Sequence, residues 1–244
     1  MGRIFVTGDV HGGGKDIAKI FNFSKRMKGD LCAEDVMIIA GDWGLIWAKN
    51  PRNQDERKYK TKFNGMGLTF FVVLGNHENY DRIEKLPVRE AFGGEVRYEP
   101  EYENIVYAQN GHYYTINGRL VWVMGGGQSA DYLFRVAHEN WWPQEVPSDE
   151  EIGKCFERFE KGRVDAIDLV VTHTCPMNLQ PFDKYYHMKP GMVKRQEIEA
   201  MLQRVYDRIG GKAKWFCGHF HVDLARDVRF LLNDVVEIGG HDDK

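Results

Sequence analysis

The stretch Arg3-Ile4-Phe5-Val6-Thr7-Gly8-Asp9-Val10-His11-Gly12 passes from an apolar, β-branched run into a glycine-bounded turn carrying an aspartate and a histidine. Such a run reads as a buried strand, and the turn as its carboxyl-terminal loop. The pattern returns twice: residues 35–40 lead into Gly41-Asp42, and residues 68–74 into Gly75-Asn76. Residues 15–27, with Ile17, Ile20, Phe21 and Phe23 at face-like spacing, and the charged residues 54–63 read as helices between these strands. Strands alternating with helices predict a layered α/β (α+β) sheet. Open α/β sheets bind ligands beyond the carboxyl ends of their strands, so the polar loops there are the candidate site.

The middle of the chain reads differently. Residues 96–98, 105–108, 113–116 and 120–124 are short strands, and Asn110-Gly111 and Asn117-Gly118 separate the last three. Asn-Gly is a strong hairpin signal, which predicts a β-meander joining two halves of the fold. Residues 125–148 then form a long loop containing Gly125-Gly126-Gly127-Gln128-Ser129 and Trp141-Trp142-Pro143. Ser148 and Glu151 form a capping box that opens a helix over 149–161. Residues 167–172 and 214–217 are further strands, and 174–190 is a second long loop with Tyr185 and Tyr186. A helix over 194–209 and strands over 228–232 and 235–238 complete a reading of one domain, 1–244.

Composition narrows the classes of function. The 244 residues are 43% hydrophobic and 28% charged, as in globular proteins rather than fibrous or disordered ones. Lys and Arg number 33 against 36 Asp and Glu, so no basic excess favours nucleic acid or an anionic membrane. No apolar run approaches the length that spans a bilayer, and no leader is legible, so the expected compartment is the cytoplasm. The four cysteines are scattered, and Cys175 and Cys217 read as small packing residues rather than disulfide partners. The chain carries no signal of oligomeric state.

Five loops share an unusual set of side chains: Gly8-Asp9-Val10-His11-Gly12, Gly41-Asp42-Trp43-Gly44, Gly75-Asn76-His77-Glu78, Thr172-His173-Thr174 and Gly218-His219-Phe220-His221. Any one alone is weak, but together they specify a shared centre. Imidazole mixed with carboxylate suits Mn, Fe or Zn, whereas an all-oxygen set suits Mg or Ca. Two such ions about 3.5–4 Å apart can clamp a phosphate and activate water. Asp42 is the natural bridge, because its loop offers no other ligand-type side chain.

This series resembles the calcineurin-like metallophosphoesterase family over nearly the whole chain, from Asp9 to His221. The resemblance implies a β-sandwich of two mixed sheets flanked by helices. It implies one divalent ion held by Asp9, His11, Asp42 and His221, and a second by Asp42, Asn76, His173 and His219. Mn is the favoured metal, with Fe or Zn as alternatives. His77 matches the histidine that contacts phosphate and protonates the leaving group, while Asn76 lies beside the substrate. The implied chemistry is in-line attack on phosphorus by a metal-bridging hydroxide. The protein Ser/Thr phosphatase branch carries Asp-Arg-Gly after its second motif, whereas this chain has Asp42-Trp43-Gly44-Leu45-Ile46-Trp47, with no arginine, which argues against that branch and against diadenosine tetraphosphatases.

Substrate choice falls to the rim loops. Within 125–142, Arg135 either replaces the missing clamp or forms a surface ion pair, and Trp141 and Trp142 either stack on a base or cover a core edge. Gln128, Asp131 and His138 share that segment. Glu78 either orients His77 or satisfies loop backbone. His112, His187 and His241 match no motif. The expected activity is hydrolysis of a phosphomonoester or phosphodiester of a small or nucleotide-like molecule. A nuclease using the same centre and a non-catalytic binding module are the alternatives.

Overall fold

The computed structural model describes residues 2–181 and 197–239. Four strands, β1 (Ile4–Thr7), β2 (Val36–Ala40), β3 (Thr69–Val73) and β6 (Ile105–Ala108), run parallel in that order. The antiparallel pair β4 (Val88–Ala91) and β5 (Gly94–Tyr98) extends this sheet beyond β6, and β13 (Val235–Ile238) closes its other edge. The second sheet has β8 (Arg119–Met124), β9 (Leu169–Thr172), β10 (Lys214–Cys217) and β12 (Val228–Phe230) parallel, with β7 (Tyr113–Ile116) and β11 (Leu224–Ala225) at its antiparallel edges. These are two mixed sheets.

Strand side chains alternate between faces, and this divides the core into three layers. Ile4, Val6, Ile38, Phe71 and Val73 from the first sheet meet Val121, Val123, Leu169, Val171 and Phe216 from the second. The opposite side chains of the first sheet, Phe5, Met37, Ile39, Phe70 and Val72, pack with Ile17, Ile20 and Phe23 of α1 (Gly14–Arg26) and Phe63 of α2 (Gln54–Asn64). On the second sheet, Leu120, Trp122, Met124, Val170 and Trp215 pack with α4 (Asp149–Lys161) and α5 (Glu197–Ile209). Burial on both faces explains why the inner strands read as continuous apolar runs.

The capping box at α4 forms as read, with Ser148 and Glu151 exchanging hydrogen bonds. Helix α1 spans Gly14–Arg26 against the expected 15–27, and α5 is described from Glu197, so the expected start at 194 lies outside the described residues.

The meander needs correction. Asn117-Gly118 is a two-residue turn between β7 and β8, with φ of 46° and 82° and Ile116 paired with Arg119. Asn110-Gly111 is no hairpin: β6 belongs to the first sheet and β7 to the second, so the chain changes sheets there. Gly111 instead answers a packing demand, since a Cβ on it would lie 2.6 Å from the Cβ of Cys155 in α4. Asn110 Oδ1 accepts from Gly125 N at 2.8 Å. The β4–β5 hairpin was not legible, because its turn is Phe92-Gly93 and Phe92 takes φ 56° without the usual Asn or Asp.

Candidate metal centre and active site

Strands β1, β2 and β3 of one sheet and β9 and β10 of the other release their chains at the same end, so all five loops meet. The loops bind one another directly: Val10 N and His11 N both donate to Asp42 O at 2.8 Å, and Gly218 N donates to His173 O at 3.1 Å. Two glycines make room for neighbouring ligand side chains. A Cβ on Gly75 would lie 2.1 Å from Asp42 Oδ1, and one on Gly218 would lie 2.3 Å from Asp9 Oδ1. Among the described residues, four of the eight non-glycine positions with positive φ are His11, Asp42, His219 and His221, so local strain concentrates at the site.

The expected ligand residues Asp9, His11, Asp42, Asn76, His173, His219 and His221 do come together. Asp42 is central: its Oδ2 lies 3.2 Å from His11 Nε2, and its Oδ1 lies 3.2 Å from His173 Nε2. Asn76 Oδ1 lies 2.8 Å from His173 Nε2 and 2.9 Å from His219 Nδ1. Asp9 Oδ1 accepts from His219 N at 2.9 Å, while His221 Nε2 stands 3.5 Å from Asp9 Oδ2, its ring 47% exposed.

The hydrogen-bond roles test whether cations fit. His173 Nδ1 faces the carbonyl of Ala40 at 3.0 Å, and His11 Nδ1 faces the Asp16 carboxylate at 2.8 Å. Both oxygens only accept, so a neutral ring carries its proton on Nδ1 and turns a lone pair inward from Nε2. Those lone pairs point at acceptors, Asp42 and Asn76 Oδ1. Among the described residues, the buried Asp9 Oδ2 has no hydrogen-bond partner. Converging acceptors with no donor between them repel, and a divalent cation resolves that repulsion. The donor set fits. Among the described residues, ligand atoms within 4.8 Å of one another group as Asp9 with His11 and His221, Asp9 with Asp42 and His173, and His11 with Asp42 and His77.

Either a proton or a cation can stand between His11 Nε2 and Asp42 Oδ2, and the electrostatics show the pull on it. Burial and the charge of Asp42 push the Asp9 carboxyl up, while His173 and His11 hold Asp42 well below the usual carboxylate range despite its own burial. Against burial, Asp42 and Asp16 push the His11 imidazole up to about 9. Burial, with the neighbouring His173, lowers His219 to about 3. Burial, with the charges of His11 and Arg135, lowers His77 to about 4.

His77 sits beside these atoms. Its N–H donates to Asp42 Oδ1 at 2.8 Å, its ring stacks on Trp47 with centroids 5.4 Å apart, and it meets His11 edge-on at 5.0 Å. Glu78 serves the backbone instead of orienting His77: it accepts from Trp43 N at 2.7 Å and Gly44 N at 3.4 Å. Trp43, in the stretch 42–47 that lacks the arginine, is fully buried against Phe63 and Phe70.

A cavity of about 610 Å³ opens from His11 and His77 and is walled by Trp47, Asn53, Asp55, Asp131, Phe134 and Arg135. Arg135 stands on that wall, not among the ligand atoms. Its Nε pairs with Asp131 at 2.7 Å and its guanidinium lies 5.8 Å from the Trp47 ring centroid. Phe134 is 82% exposed. Trp142 takes the core reading: it is fully buried, edge-on to Trp47 at 5.0 Å, and its Nε1 donates to Asp81 at 3.1 Å. His138 faces Asp81 at 2.9 Å, and His112 lies against Tyr114. Tyr185, Tyr186, His187 and His241 lie outside the described residues.

Sequence reasoning missed Asp16, Ser129, Glu145 and Trp47. Asp16 was detectable as an acid five residues after His11, in the first turn of α1. The others reach the site only through tertiary contacts.

No helix among the described residues is long and apolar enough to cross a membrane. All four cysteines are free thiols, and Cys155, Cys175 and Cys217 are buried. No curated protein shows significant similarity to the chain. A phosphopantetheinyl hydrolase from Mycobacterium tuberculosis is similar in structure at 16% identity and a TM-score of 0.47, over 93% of this chain and 87% of that one. Residues 2–223 match the calcineurin-like phosphoesterase family, and the chain belongs to that family of metal-dependent enzymes.

Proposed function

We propose that this protein hydrolyses a phosphomonoester or phosphodiester of a small or nucleotide-like molecule, using two divalent cations, with Mn²⁺ favoured. The observation that carries the reading is the convergence of inward lone pairs from His11 and His173 on the carboxylate of Asp42, with Asn76 Oδ1 beside His173. In this reading Asp9, His11, Asp42 and His221 hold one ion, and Asp42, Asn76, His173 and His219 hold the other. When bound, such ions neutralise phosphate oxygens and acidify water.

The protein's own groups supply the rest. Asp42 serves both ions, which its position between His11 and His173 supports. His77 hydrogen-bonds the phosphate and passes a proton from its ring to the leaving oxygen. It does so from its protonated form, which the negative charge of a bound phosphate favours against the burial that lowers this imidazole. Trp47 holds the His77 ring by stacking. Arg135 faces the substrate cavity and attracts its anionic part.

The cavity favours a small substrate over a polynucleotide. Its volume suits a small organic molecule, and its walls carry Asp55 and Asp131 with a single arginine. The free thiols suit a reducing compartment such as the cytoplasm.

The test is hydrolysis of paired chromogenic phosphomonoester and phosphodiester substrates by metal-stripped protein reloaded with Mn²⁺. Turnover that needs Mn²⁺ is expected. Selective cleavage of long single strands would move the reading to a nuclease. Two bound ions without turnover of any phosphoester would leave a binding module and overturn the enzymatic reading.

A further inference from the structure

The rim segment reaches the ligand cluster at one point. Asn76 Nδ2 donates to Ser129 Oγ at 3.1 Å, and Ser129 Oγ donates to Glu145 Oε2 at 2.7 Å. Ser129 N donates to the other oxygen, Glu145 Oε1, at 2.6 Å. All three side chains are buried, at 4%, 2% and 0% exposure. The Glu145 carbonyl also accepts from Gly127 N at 2.9 Å, so this residue holds the segment by backbone and side chain together.

The direction of these bonds matters. Burial raises the Glu145 carboxyl to about 7, and above that pH the ionised carboxylate has no proton to give, so the Ser129 hydroxyl must donate to it. That leaves the lone pairs of Ser129 Oγ for the amide N–H of Asn76. An asparagine amide can present either end to a ligand, and only its oxygen can bind a cation. We propose that Glu145 and Ser129 form a polarised relay that locks the Asn76 amide with Oδ1 turned toward His173 and His219, and thereby sets the affinity of the cation site these three residues share. The inference rests on the reading of Asn76 as a ligand. Ser129 and Glu145 are positioning residues in it, because neither touches the cation or the substrate.

Glu145→Gln separates polarity from packing. The variant keeps the shape of the side chain. Its oxygen stays on Ser129 N, so its NH₂ faces Ser129 Oγ. The hydroxyl then loses its acceptor, and its proton competes with the Asn76 amide. A residue that merely filled space would tolerate this change. Ser129→Ala removes the acceptor for Asn76 outright.

The experiment is Mn²⁺ titration at pH 8, where Glu145 is ionised, of metal-free wild type, Ser129→Ala and Glu145→Gln, with free Mn²⁺ read by electron paramagnetic resonance. Melting temperatures of the metal-free proteins serve as the folding control. Two Mn²⁺ per wild-type chain are expected. In each variant one site should weaken by about 10–100-fold while the other keeps its affinity. Unchanged affinities in a folded Glu145→Gln would overturn the relay, as would equal weakening of both sites. Wild type that binds no Mn²⁺ would instead sink the dinuclear reading itself, and the relay with it.

Discussion

His11 and Asp16 are joined at 2.8 Å through Nδ1 and Oδ2, so the first turn of α1 decides which nitrogen of His11 faces Asp42. Breaking that bond frees the ring to turn and to take the other tautomer. Asp16→Ala is therefore expected to weaken the cation site of Asp9, His11 and His221 by about 10–100-fold while leaving the fold intact. Equilibrium dialysis against Mn²⁺ reads this directly.

Asp42 presents one carboxylate oxygen to His11 and the other to His173, one residue from each half of the ligand set. Asp42→Ala should cost both ions at once. Asp9→Ala and Asn76→Ala should each leave one. Metal content after desalting distinguishes these patterns, and two retained ions in Asp42→Ala would refute the bridging assignment.

His77 lies beside the ligand cluster but is not needed to hold it in the proposed reading. His77→Ala should keep two ions and lose about 10²–10⁴-fold in kcat. The loss should shrink for substrates whose leaving group is already a weak base, such as nitrophenolate, because these need less proton donation. A rate series over leaving groups of graded pKa measures this, and an unchanged slope would remove His77 as the proton donor.

Glu199 gives the fold a pH dependence away from the metals. Its carboxyl is buried in α5, and burial pushes it up to about 7, although Thr174 Oγ1 donates to it at 3.2 Å. The folded chain therefore holds this proton more tightly than the unfolded chain does. Its stabilising effect is complete below the unfolded value, about 4.5, and is lost as pH rises through about 7. Glu199→Gln should remove this term and raise the melting temperature at pH 8 more than at pH 5. Thermal unfolding between those two values reports the difference.

Phe134 is exposed yet forms part of the wall of the substrate cavity. Phe134→Ala should leave melting temperature and metal content unchanged. It should raise KM for aryl phosphoesters several-fold while sparing kcat, as loss of uniform binding does. Equal KM in both proteins would place the substrate on another wall.

The strands and the ligand loops were legible for one reason: both are local patterns. A buried parallel strand reads as an apolar run, and a ligand loop reads as glycine beside aspartate or histidine. Asn117-Gly118 was legible because its turn needs two residues of positive φ that the sequence advertises. Asn110-Gly111 carries the same dipeptide for another purpose, contact with Cys155, which only packing reveals. Ser129 and Glu145 escaped notice because neither residue type nor spacing links them to Asn76, which lies 53 residues from Ser129. Two alternatives held open at Trp142 and Glu78 were decided by burial and hydrogen bonding, neither of which a sequence displays.

The hydrogen bond from His219 N to Asp9 Oδ1 spans 210 residues. A ribosome builds about 5–20 residues each second, so Asp9 and His11 wait roughly ten to forty seconds for their last partners. Throughout that interval the nascent chain holds only part of the ligand set. In the proposed reading, loading therefore waits until residues 219–221 have been made, and a product truncated before them lacks ligands for both ions.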